Sequence, residues 1–254
     1  MSAKAIGIRA VIVPLATLFV FLGLWQISIP LFHVNRIILP QPTDIARAAA
    51  ANWQRLLAET GVTMIESVAG FLIGCGIAYL FAIAFVHSKL IQEALYPYAI
   101  ALKSTPLIAI APLLVVWFGN GLFSKIIMAA LVAFFPVLVN SVAGLGAVEP
   151  EAFDLMRSLS ASPLQILLKV RIPNSLPYLL ASLKIASSLA VVGAVIGEFT
   201  GATRGIGFLI NTSSYYLETP LMFAGVLIIS LAGIVFFGLV AYIEKRLVFW
   251  QVKS

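Results

Sequence analysis

Two acidic side chains within long apolar stretches are the first candidates for chemistry. Glu66 lies in the stretch Thr63–Val86, and Glu198 lies near the end of Ala181–Phe199. A charge in hydrocarbon costs on the order of 3 kcal/mol or more, so we expect neither side chain to face lipid. We predict that both line a translocation path or its gate. The alternative is a pair of interfacial residues with structural partners.

A second candidate is the mixed-polarity segment from Glu149 to Tyr178. Leu155 and Leu159 are four residues apart and would give a short helix an apolar face. Further on, Ser162 can cap a second helix, with Gln165 three residues later completing a capping box. The segment therefore predicts a rigid hairpin of two short helices.

Two prolines bound the second helix of this hairpin. Pro163 suits a first helical position, whereas Pro173 and Pro177 are expected to end the helix. From the residues alone, the hairpin is either a partner-binding knob or only a connector between two apolar stretches.

Signatures of enzyme chemistry are absent from the sequence. His33 and His87 are far apart, and Cys75 is the only cysteine, so we expect neither a metal site nor a catalytic residue. There is no phosphate-binding G-x-x-x-x-G-K-[ST] loop, and Gly205-Ile206-Gly207 lacks the third glycine of a dinucleotide fingerprint. We therefore predict that the chain is not an enzyme.

The composition places these residues in a membrane. Of 254 residues, 61% are hydrophobic and only 10% are charged, with a mean hydropathy of +1.07. A crossing helix needs about 20 mostly apolar residues. We predict an all-α membrane protein with six transmembrane helices: Ala10–Ile29, Thr63–Val86, Tyr98–Phe118, Ile126–Val148, Ala181–Phe199 and Leu221–Ile243.

The predicted spans suggest an organisation of the chain. Residues 1–60 would form an N-terminal anchor span and an external amphipathic segment, Thr43–Ala58, with Thr43 as its N-cap. Residues 61–254 would form the core, which contains the loop 149–178. Two pairs of glycines spaced four residues apart predict close helix contacts, within one chain or between chains: Gly70 and Gly74, and Gly193 and Gly197.

Basic residues favour an orientation with both termini in the cytoplasm. In that orientation nine lie inside: Lys4, Arg9, Lys89, Arg157, Lys169, Arg171, Lys245, Arg246 and Lys253. Five lie outside: Arg36, Arg47, Arg55, Lys125 and Arg204.

The segment from Glu149 to Tyr178 resembles the EAA loop of binding-protein-dependent ABC transporter permeases. That loop has an acidic residue, two small residues, a glycine four positions later and then an isoleucine- or leucine-proline. Here Asp154-Leu155-Met156 takes the first positions, Ser160 the glycine position and Ile172-Pro173 the end. The spacing is that of the family, with Asp for Glu, Leu and Met for Ala, and Ser for Gly.

Further motifs extend the resemblance over roughly residues 37–250. The stretch Leu102–Gly121 is similar to the third-span signature of nitrate, sulfonate and taurine type permeases. The other similar motifs follow in the same order along the chain: Phe134-Phe135-Pro136, Gly197-Glu198-Phe199, Gly205–Ile210 and Glu244–Trp250. Glu66 ahead of Gly70-Phe71 is closer to the branch that handles pyrimidine vitamin precursors or riboflavin.

The resemblance implies a type I ABC importer in a bacterial inner membrane. Its parts would be two copies of this chain, two ATPase subunits carrying ATP and Mg²⁺, an extracytoplasmic substrate-binding protein and membrane lipid, without nucleic acid. This chain would bind no cofactor. The ATPase-coupling residues would be Asp154, Leu155, Met156, Leu159, Ser160, Ala161 and Pro163. Binding-protein docking would fall on Asn120, Arg204, Gly205 and Gly207.

The predicted function is thus the permease subunit of an importer for a small organic or oxyanion solute of sulfonate, nitrate or vitamin-precursor type. It would work by alternating access. The alternatives are an ion-coupled secondary transporter, in which Glu66 or Glu198 titrates, and a structural membrane scaffold.

Overall fold

The computed structural model describes residues 3–248, with side chains for residues 12–101 and 105–248. Every regular element in this part of the chain is helical, which confirms the all-α class. The α-helices are α1 (Ala3–Leu31), α2 (Pro42–Ala51), α3 (Trp53–His87), α4 (Lys89–Ser104), α5 (Leu107–Phe118), α6 (Leu122–Gly146), α7 (Pro150–Ser158), α8 (Pro163–Ile166), α9 (Ile172–Phe199), α10 (Ile206–Tyr215) and α11 (Thr219–Leu247). A π-turn, Leu167–Arg171, joins α8 to α9.

Five helical stretches in the described residues are long and apolar enough to cross a membrane: Ile12–Leu31, Trp53–His87, Leu122–Gly146, Pro163–Phe199 and Thr219–Leu247. The predicted third span, Tyr98–Phe118, is not one continuous helix, because α4 ends at Ser104 and α5 begins at Leu107. Pro106 lacks an N–H and disfavours helical geometry in Thr105, which explains the break. Lys253, Trp250 and the side chains of Lys4 and Arg9 lie outside the described residues.

The chain divides into two compact units. Unit 1 comprises Met1–Leu57 and Leu209–Ile228, and unit 2 comprises Ala58–Phe208 and Ile229–Ser254.

In unit 1, α2 begins one residue earlier than the predicted external helix. Gln41 is the N-cap and Pro42 takes the first helical position, so Thr43 is not the cap. Thr43 instead binds the side chain of Gln26. The backbone N–H of Thr43 donates to Gln26 Oε1 at 3.2 Å, and Gln26 Nε2 donates to the Thr43 hydroxyl at 3.1 Å. The helix ends at Ala51, short of the predicted Ala58, and α3 begins at Trp53.

In unit 2, α6 packs closely against both α3 and α9 through glycines. A Cβ built at Gly74 would lie 2.8 Å from Ala130 Cα, and one built at Gly193 would lie 2.8 Å from Ala129 Cα. Gly70 of α3 and Gly197 of α9 also lie close to α6. Both predicted glycine pairs therefore form contacts within this chain. Because real Cβ atoms do not approach backbone so closely, the glycines allow the helices to lie side by side.

The glycine contacts give a sharp test in α3. We expect Gly74→Ala to lower the thermal unfolding midpoint of the detergent-solubilised protein by about 3–10 °C, because overpacking costs roughly 1–3 kcal/mol and Ala130 backbone cannot rotate away. Gly76→Ala is the matched control, since nothing lies within 4 Å of a Cβ there. Equal midpoints for the two variants would contradict the close approach of α3 and α6.

Candidate functional site

The predicted hairpin begins with α7, which ends in a Schellman motif. Ser160 N donates to Arg157 O at 2.9 Å, and Ala161 N donates to Met156 O at 3.0 Å. Ser160 has φ of 54°, the left-handed conformation that glycine adopts most easily. The serine at the family's glycine position thus keeps the backbone geometry of a glycine turn.

The capping box predicted after this turn is confirmed. The Ser162 hydroxyl accepts from Gln165 N at 3.3 Å, and Ser162 N donates to Gln165 Oε1 at 2.8 Å. The expected end of the second helix at Pro173 and Pro177 is wrong. The π-turn leads directly into α9, where Pro173 lies in the first turn, so its missing N–H is tolerated.

The hairpin presents an apolar surface to its surroundings. The side chains of Leu155 and Leu159 are 61% and 69% exposed. Of the other predicted coupling residues, Asp154, Ser160 and Pro163 are exposed, whereas Met156 and Ala161 are half-buried. On the inner side of α7, the Phe153 ring lies 5.1 Å beneath the Arg171 guanidinium.

The second candidate site is a buried polar cluster in unit 2, at the opposite end of α9. It contains Glu66 and Glu198, which are 3% and 1% exposed. Their side chains lie close enough to interact with each other. The structure thus brings together two carboxyl groups that are 132 positions apart in the sequence.

Glu198 binds the beginning of α10. Its Oε2 accepts a hydrogen bond from Gly207 N at 2.5 Å, and its Oε1 accepts one from the Thr63 hydroxyl at 2.6 Å. Thr63 Oγ1 in turn accepts from Ile206 N at 2.8 Å. A carboxylate is well suited to this place, because the first N–H groups of a helix lack intrahelical partners and carry partial positive charge.

Glu59 extends this capping toward the solvent. Its Oε2 accepts from Gly205 N at 2.6 Å and lies 3.6 Å from Arg204 Nε. Glu59, Thr63 and Glu66 are spaced by four and three residues, so α3 turns all three toward the same segment.

A buried cation balances the carboxyl groups. Lys125 is 1% exposed, interacts electrostatically with both Glu66 and Glu198, and donates from Nζ to Asn120 O at 2.6 Å. The expected position of Lys125 in an external loop is wrong, because the residue lies in the first turn of α6. One atom, Glu66 Oε2, is buried without a hydrogen-bond partner among the described residues.

The residues predicted to contact a binding protein fall into two groups. Gly205 and Gly207 are buried, and a Cβ at either would collide with the Glu198 carboxylate. Gly205 also has φ of 105°, which favours glycine. Exposure therefore leaves Asn120 and Arg204 as the members of this set that a docked protein can contact.

Sequence reasoning missed the other members of the cluster: Thr63 and Lys125, which interact with the glutamates, and Glu59, which binds Gly205. The spacing of Glu59, Thr63 and Glu66 on one helical face was a usable signal. Nothing local linked Lys125 to either carboxylate, because that contact depends on how α6 packs.

Long apolar helices, an exposed, capped hairpin and a buried polar cluster are features that a component of a membrane transport system can have. Residues 70–249 match the family described as binding-protein-dependent transport system inner membrane component. The chain belongs to this family and is a permease subunit of an ABC importer, not an enzyme. Membership excludes the ion-coupled transporter and the scaffold as interpretations.

Relatives match along nearly the whole chain. A probable ABC transporter permease protein of Haemophilus influenzae is 34% identical, over 94% of this chain and 97% of that protein. The riboflavin transport system permease protein RibX of Chloroflexus aurantiacus is 32% identical, over 93% and 89%. The putative aliphatic sulfonates transport permease protein SsuC of Bacillus subtilis is 30% identical, over 91% and 85%.

The fold also matches a solved structure. A chain from the crystal structure of an amino acid ABC transporter has a TM-score of 0.63 and 20% identity, covering 78% of this chain and 96% of that one. This likeness confirms the type I importer permease architecture.

The turn of the hairpin supports a stability prediction. We expect Ser160→Gly to slow hydrogen exchange of the hairpin amides about fivefold, because an L-residue in the left-handed region costs roughly 1 kcal/mol. Ser158→Gly, two residues earlier inside α7, should speed exchange instead, since glycine disfavours helix by about 1 kcal/mol. Faster exchange in Ser160→Gly would argue against the left-handed turn.

The buried cluster supports a second prediction. Glu198→Gln should lower the thermal midpoint by about 3–8 °C. The amide has one acceptor oxygen where the carboxylate uses two, so either Gly207 N or the Thr63 hydroxyl loses its acceptor, and a buried unpaired donor costs roughly 1–3 kcal/mol. Glu59→Gln is the comparison, since its side chain is 17% exposed and water can replace the lost acceptor. If Glu59→Gln lowers the midpoint as much as Glu198→Gln does, burial is not the reason that Glu198 contributes to stability.

Proposed function

We propose that two copies of this chain form the translocation path of an ATP-driven importer. Each copy docks on a cytoplasmic ATPase subunit that carries ATP and Mg²⁺, and an extracytoplasmic binding protein delivers the solute. The family's description, which names binding-protein dependence and the inner membrane, supports this assembly. The lack of a phosphate-binding loop in the sequence is consistent with nucleotide binding on a separate subunit.

The observation that carries the proposal is the exposed hairpin. Leu155 and Leu159 are apolar, exposed and fixed on a helix with a Schellman turn behind it. An apolar helical face of this kind is suited to a groove on a partner protein. Asp154, Ser160 and Pro163 lie exposed around the leucines, while Met156 and Ala161 hold the turn through their backbone groups.

The proposal places the hairpin and both termini in the cytoplasm of a bacterial cell. The excess of basic residues on that side supports this orientation. It puts Asn120 and Arg204 on the outer face, where they would contact the binding protein.

Glu66 and Glu198 act in this proposal at the outer gate. Because both are buried, neither can touch solute in the conformation described here. Their contacts instead hold Gly205, Ile206 and Gly207 against α3 and α9. The cluster would therefore position residues 205–207, which we call the outer segment, and opening of the path would require the cluster to rearrange.

The solute of the proposed importer is a small organic or oxyanion compound. Among the relatives, one is named for riboflavin, an organic compound, and another for aliphatic sulfonates, which carry an oxyanion group. Both names support this class of solute. The binding protein would make the finer selection, because it captures the solute before the permease does.

The coupling role is tested by Leu159→Arg in the complete importer. We expect at least a tenfold loss of ATP-driven uptake together with reduced co-purification of the ATPase, because a charge would be forced into an apolar groove. Leu164→Arg is the matched control, since Leu164 is 61% exposed in the same hairpin but lies outside the predicted contact set.

Membrane insertion of both variants should equal that of the wild type, because both side chains are exposed. Normal uptake and ATPase retention in Leu159→Arg would show that the hairpin is only a connector.

A further inference from the structure

A charged pocket of about 530 Å³ lies behind the hairpin, within unit 2. The end of α3, the inner side of α7 and the π-turn enclose it. Its lining is mixed: Val86, Ile166 and Leu167 are apolar, whereas His87, Arg157 and Arg171 carry basic groups. None of the lining residues is acidic.

Arg171 is held in place by two contacts. Its Nη1 donates to Val86 O at 3.2 Å, and its guanidinium lies over the Phe153 ring. A guanidinium has five N–H donors, so several remain free to bind a ligand. Arg157 forms no ion pair with a described side chain. Two arginines around one cavity suit a phosphate group, which accepts paired N–H donors.

The surroundings of the pocket identify the source of the phosphate. Leu164 and Leu168, beside the pocket, are 61% and 55% exposed. They belong to the apolar stretch Pro163–Phe199, which continues into the bundle, and Lys169 lies next to them. Exposed apolar side chains beside basic ones are typical of a membrane surface, where basic pockets between helices bind lipid head groups.

We propose that this pocket binds the phosphate of an anionic membrane phospholipid through Arg157 and Arg171. The apolar walls formed by Val86, Ile166 and Leu167 accommodate the glycerol and the first acyl carbons. A free phosphate ion would gain nothing from these walls. The inference depends on the chain being embedded in a membrane. Because Ala161 and Pro163 of the predicted coupling set also line the pocket, ATPase co-purification is measured beside lipid binding.

The test is a thermal unfolding measurement on the full-length chain, purified in a neutral detergent and depleted of lipid. Dioleoyl phosphatidylglycerol should raise the unfolding midpoint by about 4 °C, as ligand binding at several times Kd does. Dioleoyl phosphatidylcholine and inorganic phosphate should each raise it by less than about 1 °C.

Two variants test whether the rise in the unfolding midpoint comes from the pocket. Arg157→Gln should lose most of the response to phosphatidylglycerol. Lys169→Gln should retain the response, since it removes one positive charge from the same hairpin without touching the pocket lining. Native mass spectrometry should likewise count fewer phosphatidylglycerol molecules on Arg157→Gln, which gives a second readout if that variant is less stable.

Four outcomes would overturn the proposal. An equal response to inorganic phosphate would indicate a free-anion site, and an equal response to phosphatidylcholine would indicate a general effect of lipid. Equal losses in Arg157→Gln and Lys169→Gln would indicate diffuse surface charge. If the wild type gains nothing from phosphatidylglycerol while Arg157→Gln weakens ATPase co-purification, the pocket binds an acidic segment of the protein partner.

Discussion

Close packing of α6 between α3 and α9 is the contact on which the other features depend. It is possible because Gly70 and Gly74 on one side, and Gly193 and Gly197 on the other, let backbones approach. Helices in lipid gain little from burying apolar surface against each other, so van der Waals contact at this distance is a main source of their association. The glycines therefore allow the close approach of α3 and α9 to α6.

The buried charges follow directly from this packing. Glu66 is one turn from Gly70, and Glu198 is adjacent to Gly197, so the helix approach brings both carboxyl groups beside Lys125 of α6. Once there, Glu198 and Thr63 bind the first N–H groups of α10. A steric feature of three helices thus orders an irregular segment that could not satisfy its own backbone groups.

The same helices connect this cluster to the hairpin. α9 contains 28 residues, which corresponds to a length of ~42 Å, and it runs from the π-turn to Phe199 without a break. Arg171 at its beginning holds the end of α3, and Glu198 at its other end holds α10. α9 is thus a continuous helix that joins the hairpin to the segment that Glu198 binds, as the proposed coupling would require.

Local signals in the sequence predicted local structure well. The Ser162–Gln165 capping box is confirmed, because three-residue spacing determines it within one helix. The glycine pairs are confirmed as helix contacts, because four-residue spacing puts each pair on one helical face. Pro173 was misinterpreted, since a π-turn places it in the first turn of α9. The partnership of Lys125 with the glutamates could not be predicted, because nothing near it in the sequence indicates which helix faces it.

The composition of the cluster favours a role in conformation over a role in stability. Replacing a buried ionic group with apolar side chains of similar volume is often neutral or stabilising, so holding the fold together does not require Glu66, Glu198 and Lys125. Such groups are satisfied only in one arrangement, because each lost partner leaves a buried charge or donor exposed to apolar surroundings. Apolar contacts would tolerate many intermediate positions of the outer segment. A cluster of paired polar groups allows few, which fits the gate that we propose for this segment.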